Sequence, residues 1–208
     1  MTEKIQYDLI LKNGTVVLPK ETTSIDIGIK DEKIHTIGNL SECSTECCAD
    51  NVINCEGLHI LPGVIDSQVH FREPGLENKE NLESGMLAAA AGGVTAVFEM
   101  PNTNPLTITP ETIEDKLKRA SRVPWTDYAF YLGGTGRTGP NLDKWETGPG
   151  ICGIKIFMGA STGELMTASD EEVEAVLSHG KRVVAVHAED QYIMQKNMKE
   201  ILKDQTDV

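Results

Sequence analysis

The chain has 208 residues, 39% hydrophobic and 25% charged, enough for one ordinary domain or a small domain plus part of a larger one. A formal net charge of −13 at pH 7, with no basic patch, excludes the electrostatic footprint of a nucleic-acid binder. No apolar stretch approaches the roughly 20 residues of a membrane helix, and Met1-Thr2-Glu3-Lys4-Ile5 lacks the basic and apolar regions of a signal peptide, so the expected compartment is the cytoplasm.

The first sixty residues read as short strands. One spans 7–12, Asn13-Gly14 is a hairpin dipeptide, and the next strand spans 15–18. The alternating segment 25–29 turns at Asp31-Glu32-Lys33 into a strand over 34–38. Residues 39–50 read as a loop carrying Cys43, Cys47 and Cys48. With Cys55 and Cys152 the cysteines number five, irregularly spaced and without paired C-x-x-C elements, so reduced thiols are expected over a thiolate metal cluster. Strands at 52–53 and 58–61 complete a predicted small antiparallel β-unit, 1–62.

After Pro62-Gly63 strands and helices alternate, over 63–208. A strand over 64–72 precedes a helix over 81–91, rich in Leu, Met and Ala and stopped by Gly92-Gly93. A strand over 94–100 precedes a helix capped by Thr109, with Pro110 first, running to about Ala120. A strand over 127–132 leads into a Gly-rich loop, and another spans 153–158. Ser169 and Glu172 form a capping box for a helix ending at His179-Gly180. A strand over 182–187 and a helix from Gln191 follow. Repeated βα units imply an α/β fold, a parallel sheet with right-handed crossovers that is either closed or doubly wound.

Polar residues cluster where these strands end: His70 and Arg72, Asn102, Lys155, and His187 with Glu189 and Asp190. In a (β/α) barrel that end builds the active site. Period-two alternation puts Asp66, Gln68, His70 and Arg72 on one face, opposite Ile65, Ser67, Val69 and Phe71. Lys155 lies opposite Ile154, Ile156 and Met158. A buried ammonium costs several kcal/mol unless paired or neutralised. Three routes are open: an ion pair with Glu99 or Asp66, a lowered pKa, or addition of carbon dioxide to give a carbamate, a bidentate oxygen ligand. The residues alone favour the ion pair. His187, taken singly, is an ordinary strand-end histidine; with His70 and Lys155 on neighbouring strands it makes a divalent-metal site, and its donors suit zinc.

Asp66-Ser67-Gln68-Val69-His70-Phe71-Arg72-Glu73-Pro74-Gly75 resembles the signature of dihydroorotases, in the cyclic amidohydrolase family. Met100-Pro101-Asn102-Thr103 matches a second motif of that family. Gly153-Ile154-Lys155-Ile156-Phe157-Met158-Gly159 resembles the segment carrying a carbamylated bridging lysine, and Val186-His187-Ala188-Glu189 the third-histidine segment. The resemblance runs from about Tyr7 to the end of the chain. It implies a TIM-like (β/α)8 barrel, with about the first five βα units in this chain, beside a small β-sandwich. His70 would bind one zinc ion, His187 a second, and carbamylated Lys155 would bridge the two. Metal-activated water would open the ring amide of dihydroorotate, a step of pyrimidine biosynthesis; the reverse closes N-carbamoyl-L-aspartate. Arg72 and Asn102 would hold the substrate carboxylate. Allantoinases and hydantoinases tend to lack this Arg and this Pro-Asn-Thr, which points to dihydroorotate.

The sequence departs from the family in two places. The first position of the metal motif His-x-His is Gln68, a neutral amide and a weaker zinc ligand. The family's fourth metal histidine and catalytic Asp fall beyond residue 208, so no catalytic residue is assigned in the chain, which is expected to be part of a longer enzyme, inactive alone and prone to associate. Two other readings stand beside the first: another cyclic amidohydrolase, or a non-catalytic dihydroorotase-like subunit partnering aspartate carbamoyltransferase. The expected partners are a small-molecule substrate and either copies of itself or that transferase, with no nucleic acid and no membrane.

Overall fold

A computed structural model describes residues 5–43, 48–159 and 165–203. The chain divides into two compact units, Met1–Pro62 and Gly63–Val208.

The strands of the first unit are β1 (Tyr7–Lys12), β2 (Thr15–Val17), β3 (Thr22–Ser24), β4 (Asp26–Lys30), β5 (Lys33–Gly38), β6 (Ala49–Asn54) and β7 (His59–Ile60). They form a four-stranded sheet ordered β5-β4-β1-β6 and a three-stranded sheet ordered β3-β2-β7. The unit is mixed, correcting the antiparallel expectation: β1 pairs parallel with β6, and β2 with β7. Nor does Asn13-Gly14 close a hairpin. Both ladder edges of β1 are already taken, by β4 and β6, so β2 must pair in the other sheet. The true two-residue hairpin is β4–β5, where Asp31 and Glu32 have φ of 52° and 59°, the positive values that suit the strand twist. Tyr7, Ile10, Leu40 and Ala49 form the core. Cys48 and Cys55 are buried, Cys43 and Cys152 are half-buried thiols, and Cys47 lies outside the described residues.

The second unit is a parallel sheet of five strands in sequential order, β8 (Val64–Val69), β9 (Val94–Glu99), β10 (Asp127–Gly133), β11 (Ile151–Phe157) and β12 (Val184–His187). Its helices are α1 (Leu82–Ala91), α2 (Pro110–Ala120), α3 (Leu142–Trp145), α4 (Asp170–Leu177) and α5 (Gln191–Lys203). The sequential strand order with intervening helices is the barrel arrangement, and the doubly wound alternative falls away. Asn81, Thr109 and Ser169 each cap a helix by accepting the third backbone N–H, about 1 kcal/mol apiece. The short α3 sits where a Gly-rich loop was expected.

One face of the sheet is apolar. Val97, Phe130, Leu132, Ile154 and Ile156 pack there against Leu82, Met86, Ile113, Leu142 and Val176 from the helices. Each such fully buried side chain contributes roughly 1.5–3 kcal/mol. Gly85 lets α1 approach closely: a Cβ there would collide with the Phe71 ring. The strand predicted over 64–72 ends at Val69. Its ladder slips between Asp66 and Val69, so three residues of β9, 97–99, face four of β8, 66–69, and strict alternation is not carried from Asp66 through to His70. Among the described residues β8 and β12 have no further strand beside them, α5 has no buried residue, and no helix is long and apolar enough to cross a membrane.

Candidate active site

The loops at the carboxyl ends of β8 to β12 are stitched together by main-chain bonds. Met100 N donates to Val69 O at 3.0 Å, Asn104 N to Pro74 O at 2.9 Å, Gly133 N to Thr107 O at 2.8 Å, Gly134 N to Lys155 O at 2.8 Å, and Met158 N to His187 O at 3.0 Å. Gly75 is required where two of these loops meet: its φ is 92° and a Cβ would strike the Asn104 carbonyl. This scaffold sets the positions of the polar residues that the strands deliver.

His70, Phe71 and Arg72 lie just past β8. Phe71 turns into the helix-side core, leaving His70 half-buried on the other side. Arg72 has φ of 67°, a left-handed conformation uncommon for a residue with a side chain and typical of functional turns. Its carbonyl accepts Leu76 N at 3.0 Å, which closes that turn. The His70 ring pKa lies below its ordinary value. Burial is the largest cause; the Asn102 bond opposes it, and the positive charges of Arg72, Lys155 and Lys116 add to it. His70 Nδ1 is 2.7 Å from Asn102 Oδ1, a contact the sequence did not suggest.

Lys155 is 3% exposed. Neither acid proposed for it is its partner. Glu99 points to the helix side and meets Lys116 Nζ at 2.7 Å, while Asp66 Oδ1 accepts the backbone N–H of Gln68 at 3.0 Å. Among the described residues Lys155 has no ion pair, and its ammonium sits 5.0 Å from the centroid of the Phe157 ring. Burial alone pushes its pKa down. Phe157 in turn stacks on His187, centroids 6.1 Å apart, and the two residues are register partners on β11 and β12. Phe157 is thus the platform that links Lys155 to His187. Its position two residues after Lys155 was visible in the sequence, but its cross-strand partner was not.

His187 is 40% exposed as a side chain, yet its Nε2 is buried and makes no hydrogen bond; Glu189 Oε2 stands 3.1 Å away, off the bonding direction. Asp190, grouped with these residues in the sequence, is a helix cap whose Oδ1 accepts Tyr192 N and Ile193 N. Gln68 is exposed. The structure thus connects His70 to Asn102, brings the charges of Arg72 and Lys155 to bear on His70, and joins Lys155 to His187 through Phe157.

These residues fit a divalent metal. His187 offers an orphaned buried nitrogen beside a carboxylate, and Lys155 is a buried cation with no ion pair among the described residues. Among the described residues no three His, Cys, Asp or Glu side chains gather as a ready metal cage.

Residues 57–135 match the family described as Dihydro-orotase-like. The chain is 37% identical to a dihydroorotase of Methanosarcina acetivorans over 199 residues, 94% of this chain and 41% of that protein. It is 41% identical to an allantoinase of Salmonella paratyphi B over 158 residues, 74% of this chain and 33% of that protein. In three dimensions it is similar to the L-hydantoinase (dihydropyrimidinase) of Arthrobacter aurescens, with TM-score 0.84 and 32% identity, covering 96% of this chain and 45% of that one. The chain thus spans about two fifths of the length of the dihydroorotase it matches.

Proposed function

The chain belongs to the dihydroorotase-like cyclic amidohydrolases, matching their amino-terminal part, and on that premise we propose that it serves a metal-dependent dihydroorotase, interconverting dihydroorotate and N-carbamoyl-L-aspartate in the cytoplasm. The observation that carries the reading is Lys155, buried, without an ion pair among the described residues, near enough for its charge to lower the His70 pKa, and linked to His187 through the Phe157 ring. An ammonium in that position is costly, whereas a carbamate between cations is stabilised. His70, His187 and carbamylated Lys155 would hold two zinc ions. When bound, the metal supplies polarisation of the amide carbonyl and activation of water near neutral pH.

The chain's own groups would then act on the substrate. Arg72, on its left-handed turn, would present a guanidinium fork to the carboxylate. The Asn102 amide adds a second donor. Phe157 keeps the floor of the site apolar and excludes bulk water. Water adds to the ring carbonyl, the C–N bond breaks, and the ring nitrogen leaves with a proton as the open carbamoyl amino acid.

The test is metal analysis with one substitution. The purified full-length protein should hold stoichiometric zinc; Lys155→Ala should lose it and regain part of it with added acetate or propionate. Normal zinc in Lys155→Ala overturns the bridge. Among dihydroorotate, allantoin and hydantoin, the first should be turned over best, and a preference for either other would move the reading to that class. Gln68 at the first ligand position favours a second reading, a non-catalytic subunit that pairs with aspartate carbamoyltransferase. That protein would hold no stoichiometric zinc and would co-sediment with the transferase.

A further inference from the structure

We propose that Asn102 is a positioning residue for His70: its side-chain oxygen holds the imidazole proton on Nδ1, leaves Nε2 as the lone pair offered to the site, and keeps its own N–H pair for a carboxylate. The identity of the ligand at Nε2 rests on the reading above; the placement of the proton does not.

The contact joins Nδ1 to Oδ1 at 2.7 Å between residues 32 apart in sequence. An amide oxygen only accepts, so the ring nitrogen facing it must carry the hydrogen. In a neutral imidazole the other nitrogen is then the acceptor, and a hydrogen bond at one nitrogen commonly fixes which nitrogen ligates. The contact is built on held backbone at both ends. On one side Met100 N bonds Val69 O at 3.0 Å, which ties the residue before His70 to the strand leading to Asn102. On the other, Thr103 N and Thr107 N both donate to Pro101 O at 2.9 Å, and Thr103 Oγ1 donates to Pro105 O at 2.9 Å. Asn102 therefore lies in a loop fixed on its own account, and His70 is oriented against it.

Assigning Asn102 to the substrate carboxylate alone leaves its oxygen unexplained. A single planar amide can do both jobs because its two ends differ: the oxygen faces the ring and the nitrogen can face the carboxylate. Binding of a carboxylate would then fix the amide plane and with it the ligand ring. A diffusing substrate and a static ligand become parts of one hydrogen-bonded unit.

The experiment is a long-range 1H–15N correlation of the metal-free protein, with His70 assigned by its loss in His70→Gln. The wild type should show His70 as the Nδ1–H tautomer. Asn102→Ala should shift it towards Nε2–H, and Asn102→Asp, which keeps an acceptor, should restore Nδ1–H. Zinc affinity, read by competition with a chromophoric chelator, should fall about 10–100-fold in Asn102→Ala and recover in Asn102→Asp. An Nε2–H tautomer in the wild type overturns the proposal, as does a tautomer unmoved in Asn102→Ala. The wild-type spectrum decides the first of these even if the variants fail to fold. A tautomer that follows residue 102 in a protein binding no zinc upholds the positioning and overturns the metal reading instead.

Discussion

A carboxylate and an ammonium, Glu99 and Lys116, are buried together behind the sheet at 2.7 Å, with side chains 2% and 1% exposed. Burial raises the pKa of the first and lowers that of the second, each opposed by the partner's charge. Lys116 also donates to Met100 O at 3.3 Å and lies over the Phe130 ring. Lys116→Met should therefore cost about 3–5 kcal/mol by stranding the carboxylate, while Lys116→Met with Glu99→Gln recovers most of that; urea midpoints of the two variants check the difference. Arg72 gives the opposite kind of case. Because its φ is 67°, Arg72→Gly should leave the melting temperature unchanged or raise stability by up to ~1 kcal/mol, and yet abolish binding of dihydroorotate in a calorimetric titration. Cys152 is held inert: burial pushes its thiol up to about 11. Its alkylation by iodoacetamide at pH 8 should lag behind an ordinary thiol and climb only as the pH nears that value, as peptide mapping would show.

At the level of elements, α1 packs Gly85 against Phe71, the residue between His70 and Arg72. Gly85→Ala should displace Phe71, destabilise by roughly 1–3 kcal/mol, and weaken zinc binding at the adjacent His70; thermal melting and chelator competition measure the two effects. The helices were legible because their signals are local. Thr109-Pro110 and Ser169 with Glu172 mark starts that depend on residues three apart. The strand segments of the second unit and their parallel order followed from the alternation of patterns. What escaped was set by partners distant in sequence. Nothing in the charged run from Glu111 to Arg119 marks Lys116 as the member that is buried, since helix crossing decides it. The slip between Asp66 and Val69 is a property of the pairing with β9, invisible in β8 alone. The separation of β1 and β2 into two sheets depends on β4 and β6 having claimed the edges first. Among the site residues, the types and spacings of His70, Lys155 and His187 were readable. The Asn102 bond and the Phe157 platform come from loop and register geometry.

Across the whole second unit the polarity is uneven. Val64 and Ile65 on one outer strand, Val186 on the other, and Tyr192, Ile193, Met198, Ile201 and Leu202 on α5 are all exposed. Unpaired strand edges and an apolar helix surface promote association. The chain should sediment as a concentration-dependent mixture, and Ile193→Glu with Ile201→Glu should shift it towards monomer. The bend before β12 is tightly tied. Glu146, 2% exposed, accepts Lys181 N at 2.6 Å and Arg182 N at 2.9 Å, its carbonyl accepts Arg182 Nε, and Asp143 accepts Gly180 N at 2.6 Å. Two acids of a four-residue helix and its next residue thus anchor the bend that feeds β12. For anyone grafting a tag or a foreign loop into this protein, that bend is the wrong place: an extra residue between 179 and 182 would slide the following strand along its neighbour and carry His187 off Phe157.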